Sequence, residues 1–550
     1  MPVPNGTNRQ EFDDDVASAP SSQDVVLLRM LADDLTRLEY TVDGVEDLLG
    51  AQAYAALGRG QVAPALLEAR RVADAGSARG ARVVPVLLWL LGESITDEAL
   101  RAAFPSVDVN GLQGLRLIEE VPGGDAARRR AIADLRPYAS DVGGSLWVAS
   151  DLGSEQRPGP LRHDHVLGIG GASLTLAQTV IRTRVGRALD LGTGCGIQAF
   201  HLLPHAGHVT ATDISQRALA FARFNLLLNA PALDIDPSNL GDSVSLRLGS
   251  LLEPVDSEQF DLVVSNPPFV ITPRNGAATG LYTYWDGGMA GDAVVEILLG
   301  ALPRVLSPGG SAQLLGNWEI GEGTAWDRRV RAFVPPDVDA WVIQREQLTP
   351  VQYDETWLRD AAENRNRETY LASFAAYLSD FASRDVEGIG FGSVWLRRPY
   401  TPSNLIRSTF EEVTHEIEQP IGPHLAAAVQ RGDWLAAHTE QASSGIGIAD
   451  EFLLVADDVT EERHQRPGAE HPGVILLRQG AGLRRTVVLS SEAAGFAGAC
   501  DGELSARQIF GALAALLDWA GEERQRLTEE VRHLVLDGFL VPQEPVPPAA

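Results

Sequence analysis

At 550 residues the chain is too long for one hydrophobic core, and about three to four domains are expected. Its 45% hydrophobic content is ordinary for globular protein, and it has no run of about 18 apolar residues that would span a bilayer. A net charge of −29, with all 45 basic residues arginine, gives no general phosphate-attracting field and weighs against sequence-blind nucleic-acid binding, and two cysteines exclude a disulfide framework or a cysteine-rich zinc site.

Residues 1–20, rich in Pro, Ser, Asn and acidic side chains, read as a disordered tail, and the opening MPVPNGTNRQEFDDD lacks the basic and apolar segments of a secretory signal. A cytoplasmic protein with no membrane partner is the expectation. From Ser21 the spacing turns helical, with Val25, Leu28, Leu31, Leu35 and Leu38 recurring every three or four residues behind a Ser21 or Ser22 cap. Further helices are expected over 54–73, over 83–91 and from Ser94, with a strand at Leu115–Ile118. Residues 21–150 thus read as a small helical or winged-helix-like domain.

Between residues 186 and 320 short apolar runs alternate with helical stretches, the pattern of a parallel sheet with crossover helices. Strands are expected at Arg187–Leu191, His208–Thr212, Val244–Leu248, Phe260–Ser265 and Ser311–Gly316, with Ala340–Gln344 and Phe391–Leu396 completing seven. A polar helical insertion, Asp354–Arg384, separates the last two. Residues 151–400 are therefore expected to fold as a doubly wound α/β domain. Residues 401–465 read as a helical connector and 466–545 as a second winged-helix-like domain. That last stretch holds a strand at Val474–Leu477, a capping box at Ser505–Gln508 and a closing strand at Leu540–Val541.

The chemistry concentrates in the α/β domain. Arg187-Ala188-Leu189-Asp190-Leu191-Gly192-Thr193-Gly194-Cys195-Gly196 is a strand running into a glycine-rich turn, where a backbone without Cβ atoms can approach a ligand. Asp213 ends the next strand, 23 positions after Asp190, where a carboxylate can accept hydrogen bonds from both hydroxyls of a ribose. A dinucleotide fits that spacing too, but the acid ahead of the glycines would repel a pyrophosphate and suits an amino acid's ammonium. This DxGxGxG turn with its downstream acid resembles the class I S-adenosylmethionine-dependent methyltransferases. The resemblance implies a Rossmann-like seven-stranded fold and S-adenosylmethionine as cofactor. It sets Asp190, Gly192, Thr193, Gly194 and Gly196 at the cofactor's methionine end and Asp213, with Ile214, at its ribose. Where many members place an adenine-binding Asp, this chain has Ser250 and Leu251. Ser173, closing the glycine-rich stretch that starts at His165, is also expected against the cofactor.

The run FDLVVSNPPF sets Asn266-Pro267-Pro268-Phe269 at the C-terminal end of the fourth strand, where open α/β sheets bind ligands. An amide or exocyclic amine is a poor nucleophile because its lone pair is delocalised. The Asn266 side-chain oxygen and the Pro267 carbonyl can accept hydrogens from such an NH2 group and turn its lone pair toward a methyl donor. Pro267 and Pro268 stiffen that carbonyl, and Phe269 can stack on the planar group. Strand-terminal NPPF resembles the signature of amino-methyltransferases, which implies catalytic roles for Asn266, Pro267, Pro268 and Phe269, with Asn266 also bordering the cofactor. Downstream, Tyr284–Asp292 resembles the glycine–aspartate segment of release-factor glutamine methyltransferases, a candidate substrate loop.

The whole resembles large actinobacterial-type proteins in which a methyltransferase small domain lies between helical or winged-helix modules. It implies N-methylation of an exocyclic base amine in RNA or DNA, which the winged-helix flanks favour. A glutamine amide of a protein such as a release factor is the alternative, which the acidic charge favours. A non-catalytic cofactor-binding protein on a relic fold is a third reading, opposed by intact Asp190, Asp213 and Asn266. His201 and His205 share i,i+4 spacing without a nearby acidic ligand pattern, so no metal is expected.

Overall fold

The computed structural model describes residues 12–74, 80–123, 127–141, 144–153, 155–157, 162–274, 288–360, 367–400, 406–441, 447–519 and 521–543. The chain forms two compact units, residues 1–177 with 183–412, and residues 178–182 with 413–550.

In the first unit, helix Val25–Arg37 is capped by Asp24, whose carboxylate accepts the Val26 and Leu27 N–H groups, rather than by Ser21 or Ser22. Its inner face buries Leu28, Leu31 and Leu35. The helix expected over 54–73 is two helices, Ala51–Leu57 and Val62–Asp74, parted at Gly58-Arg59-Gly60. Then come helix Gly80–Pro85, extended by one wide turn to Leu90, strand Ile95–Thr96, helices Asp97–Ala103 and Asp108–Gly114, and strands Ile118–Glu120 and Arg128–Ala131. The last strand lies between the other two, which is the topology of a winged helix. Residues 12–20, expected as free tail, are tied down instead. Arg116 holds the Val16 carbonyl and the Asp15 carboxylate, Arg217 holds the Ser18 carbonyl at 2.8 Å, and Ala19 is buried.

The central sheet consists of β1 (Val185–Leu191), β2 (Ala206–Asp213), β3 (Val244–Leu248), β4 (Phe260–Ser265), β5 (Leu306–Gly321), β6 (Asp339–Leu348), β7 (Val386–Arg397) and β8 (Ser408–Glu412). Their order is β3-β2-β1-β4-β5-β7-β6-β8. The seven expected strands are present, and an eighth beyond the expected end at residue 400 pairs parallel to β6. β7 runs antiparallel to both β5 and β6, whereas β1, β2, β3, β4 and β5 are mutually parallel. An antiparallel strand between the fifth and sixth departs from the 3-2-1-4-5-6 order of dinucleotide-binding folds. One face packs Val295, Leu298 and Leu302 against Phe260, Leu314 and Trp318. Helices Pro350–Asp360 and Arg367–Ala382 form the expected insertion and build a second apolar cluster with Val270 and Ile271.

No domain boundary falls at residue 150. Strand Ser145–Ser150 pairs with Asp134–Ala139 on one edge, and on the other its partners are side chains of the sheet's second crossover helix. The Asn225 amide bonds the N–H and C=O of Ala149 at 2.7 and 2.9 Å, and the Asn229 amide bonds those of Trp147 at 2.8 and 2.7 Å. Two asparagines four apart on a helix thus stand in for a neighbouring strand.

In the second unit, helix Gly422–Gln441 precedes strand Val459–His464, which pairs with Val474–Gln479, so a boundary at 465 would split a hairpin. Helix Ser491–Ala497, strand Asp501–Ser505, helices Ala506–Leu517 and Gly521–Asp537 and strand Leu540–Pro542 follow in winged-helix order. Strand Phe452–Val455 occupies the middle of that small sheet. The Ser505–Gln508 capping box is formed.

Asn225→Ala removes the partners of Ala149 N–H and C=O and of the Cys195 carbonyl, all buried. Groups of this kind cost about 1–3 kcal/mol when left unpaired, so the expected loss of stability is about 3 kcal/mol. A urea titration checks this, and a loss below about 0.5 kcal/mol, the scatter of neutral surface changes, would reject the asparagine ladder as a structural join.

Candidate active site

β1 ends at Leu191 and the chain turns through Gly192-Thr193-Gly194-Cys195-Gly196 into helix Ile197–Leu202. Gly192, Gly194 and Gly196 have φ of +77°, +55° and +91°, a region that side chains disfavour. At Gly196 a Cβ would also press on Ala222 at 3.2 Å. The turn's N–H groups have fixed acceptors. Gly192 and Thr193 both donate to the Thr212 carbonyl at 2.9 Å, and Gly194 donates to Asp213 Oδ2 at 3.0 Å. Asp213 Oδ1 accepts the Ser215 N–H at 2.8 Å. Burial raises the Asp213 carboxyl above its ordinary range, and the N–H bonds partly oppose that.

Asp190 is held by the turn itself. It is 1% exposed beneath the turn, outside the cavity wall. Its Oδ2 accepts Thr193 Oγ1 at 2.6 Å and the Ala199 N–H at 3.0 Å, and its Oδ1 is buried without a partner. These two bonds tie the turn to the end of β1 and the start of the following helix.

A cavity of about 290 Å³ opens where the strand order reverses between β1 and β4. Gly192, Thr193, Gly194, Asp213, Ile214, Ser250, Leu251 and Ser173 line it, together with Asn266, Pro267 and Pro268. Gly196 is set back at the helix entrance. Ser265 Oγ donates to the Leu191 carbonyl at 2.8 Å, tying the ends of β1 and β4. Asn266 Oδ1 is buried in the wall with no hydrogen-bond partner. The Pro267 carbonyl accepts the Phe269 N–H at 2.8 Å and keeps a second lone pair. Phe269 is half-buried and packs against the apolar clusters that flank the sheet.

Residues 284–287 of the expected substrate loop lie outside the described residues. Asp292 is buried, accepting the Glu319 N–H at 2.9 Å and two Arg329 bonds at 2.7 Å, so it anchors helix Ala293–Ala301, while Met289 lines the cavity. One clamp escaped sequence reasoning. Arg217 holds both Asp151 oxygens at 2.6 and 2.5 Å, and Asp151 Oδ2 accepts the N–H of Val166, a wall residue, at 2.8 Å. Its members are scattered along the chain and share no motif. Burial lowers the pKa of His165 although Asp151 lies 3.7 Å away. His201 bonds the Tyr138 hydroxyl at 2.6 Å, and among the described residues no group of three or more His, Cys, Asp or Glu could hold a metal.

The sheet order with its reversed β7, the glycine turn above a buried acid and the strand-terminal NPPF define a class I methyltransferase domain. Residues 168–281 match the family described as Methyltransferase small domain, and residues 37–130 match a domain of unknown function, DUF7059. The chain is 32% identical over 174 residues to a ribosomal protein uL3 glutamine methyltransferase of Bradyrhizobium diazoefficiens, covering 30% of this chain and 49% of that protein. It is 34% identical over 146 residues to a release factor glutamine methyltransferase of Geobacter sulfurreducens, covering 25% and 46%. A ribosomal RNA small subunit methyltransferase C of Klebsiella pneumoniae is 28% identical over 200 residues, covering 35% and 50%. The chain thus spans about half the length of the curated relatives it matches.

Burial lifts the Asp190 carboxyl to about 7. An unfolded aspartate titrates near about 3.9, so the folded form holds its proton more tightly. Stability from this group is complete below about pH 4 and is lost as the pH rises through about 7. Asp190→Asn is expected to flatten the decline in urea midpoint across that window. An unchanged slope would show that Asp190 is ionised where it lies.

Proposed function

We propose that the domain is an S-adenosylmethionine-dependent N-methyltransferase acting on a planar, conjugated NH2 group. The observation that carries this reading is Asn266 Oδ1, a buried acceptor without a partner in the cavity wall. Such an atom costs on the order of 1–3 kcal/mol, and an NH2 donor brought by a bound acceptor removes that cost.

The wall fits the cofactor. A Cβ on Gly192 or Gly194 would project into open space, so the bare turn is a cradle for the methionine portion. Asp213 would hold the ribose hydroxyls, and Ile214, 58% exposed, offers an apolar face to a flat ring beside Ser250 and Leu251. Gln198 Oε1 and Thr212 Oγ1 are buried in the same wall without partners, further polar groups suited to a polar ligand. When bound, S-adenosylmethionine supplies an electrophilic methyl group. Asn266 Oδ1 and the Pro267 carbonyl would accept hydrogen bonds from the acceptor NH2 and draw its lone pair out of conjugation; as the N–C bond forms the donor's S–C bond breaks, and the acidified N–H proton leaves to solvent.

For the acceptor, we infer a side-chain amide of a protein ahead of a base amine. Helix Asp108–Gly114, third in the N-terminal winged helix, carries no basic residue. Arg129 pairs with Asp97 and Glu120, Arg130 with Glu119, and Arg128 bonds Ser94, so these arginines face carboxylates and main chain rather than phosphates. The base amine in RNA or DNA is the second reading, supported by the winged-helix order in both units.

Label transferred from S-adenosylmethionine into a cell lysate is expected to be released by protease and to survive nuclease. Release by nuclease selects the base amine, and no incorporation at all rejects the enzyme. Asp213→Ala is expected to weaken cofactor binding by about 1–3 kcal/mol in calorimetry. Asn266→Ala is expected to cost about 3 kcal/mol in rate with cofactor affinity intact, and equal rates would remove Asn266 from the chemistry.

A further inference from the structure

Helix Pro350–Asp360 belongs to the insertion between β6 and β7, far along the chain from the NPPF loop. Tyr353 on this helix is wholly buried, and its hydroxyl accepts the Ile271 N–H at 2.8 Å and Asn317 Nδ2 at 3.0 Å. Ile271 lies two residues beyond Phe269. Asn317 is on β5, three residues after Leu314, whose register partner is Ser265 at the end of β4. The hydroxyl therefore joins the exit of the NPPF loop to the neighbouring strand.

The surroundings of Tyr353 are apolar, with Val270, Leu358 and Ile389 in its cluster and the Phe381 and Phe391 rings at 5.6 and 5.7 Å. A hydroxyl in such a place is costly unless it is bonded, and phenylalanine would fill the same space but leave the Ile271 N–H and Asn317 Nδ2 without this partner. Burial also holds the phenol well above its ordinary pKa, so the hydroxyl stays neutral. The loop is thus fixed at three points. Ser265 Oγ on the Leu191 carbonyl holds the entry, the Phe269 N–H on the Pro267 carbonyl holds the middle, and the Ile271 N–H on Tyr353 holds the exit. None of the three uses Asn266 Oδ1.

We propose that Tyr353 is a positioning residue for methyl transfer, holding the loop so that Asn266 Oδ1 and the Pro267 carbonyl meet the acceptor NH2 in the productive orientation. This rests on the N-methyltransferase reading above. Placement errors of about 1 Å cost roughly 100-fold in rate, so loss of one of three fixed points has a catalytic signature distinct from lost stability.

The test uses the full chain, labelled S-adenosylmethionine and whichever lysate fraction takes label from the wild type. Tyr353→Phe is expected to lower kcat roughly 10- to 100-fold. KM for S-adenosylmethionine and calorimetric affinity for S-adenosylhomocysteine are expected to stay within about twofold. Hydrogen exchange should quicken in the peptide 260–274 and stay unchanged in 185–199. A variant with a lower melting temperature but wild-type kcat and wild-type exchange in 260–274 gives Tyr353 a structural role alone and overturns the proposal. If the wild type labels no fraction, the methyltransferase reading fails and this proposal fails with it. If wild type and variant label equally, only this proposal fails. Should Tyr353→Phe yield no folded protein, Asn317→Ala removes the β5 end of the same link. Its kcat is expected to fall in the same sense, and an unchanged kcat would overturn the proposal.

Discussion

Three parallel strands, β1, β2 and β4, end side by side where the strand order reverses, and each releases main-chain N–H and C=O groups that no longer have a ladder to join. The way these groups are satisfied shapes the site. The Thr212 carbonyl takes two N–H groups of the turn, the Asp213 carboxylate takes one from Gly194 and one from Ser215, and Ser265 closes on the Leu191 carbonyl. These bonds hold the glycine turn against β2 and the NPPF loop against β1 without help from a ligand. A ligand-binding surface built in this way is preorganised, because its geometry is already fixed by bonds that binding does not have to make.

Much of this was legible in the sequence because buried parallel strands read as short continuous apolar runs, and β3 and β4 fall on the expected residues. The glycines and NPPF were legible for a different reason, since few residue types tolerate those backbones. Asp190 shows the limit. Its place before the glycines is a matter of sequence, but the side of the turn its carboxyl faces is decided by Thr193 and Ala199. Phe269 shows the same limit from the apolar side. An aromatic after two prolines suits either a ligand or a core, and the core that captures it comes partly from an insertion around Tyr353 and Phe381. β8 was hidden because Ser408-Thr409-Phe410-Glu411-Glu412 carries little apolar pattern, and Val459–His464 because its exposed face is charged.

Module boundaries were harder to read for a reason that lies in the hydrogen bonds. A strand edge presents unpaired N–H and C=O groups that a protein pairs or covers. Here Asn225 and Asn229 complete the edge of Ser145–Ser150 from a helix, and Arg217 on the same helix fixes Asp151 directly after that strand. Strand-like pairing by side chains leaves no alternating pattern in sequence. Its consequence is that the wall segment at Val166, the helix following Asp213 and the preceding hairpin are one packed body. The methyltransferase core and the winged helix before it accordingly share a unit.

Buried polar atoms without partners are costs that folding alone gives no reason to keep. Thr212 Oγ1, Gln198 Oε1 and Asn266 Oδ1 are such atoms, and all three belong to residues lining one cavity. Their presence in one wall suits it to polar contacts from outside the chain. The same kind of cost recurs on the insertion helix. Asp354, next to Tyr353, is wholly buried with neither carboxylate oxygen paired, and burial lifts its pKa to about 8. A helix that carries a buried phenol and a buried carboxyl side by side is poorly explained as core filling. The Tyr353 hydroxyl has a clear use, the bond that holds the exit of the NPPF loop, and that bond makes the insertion part of the site.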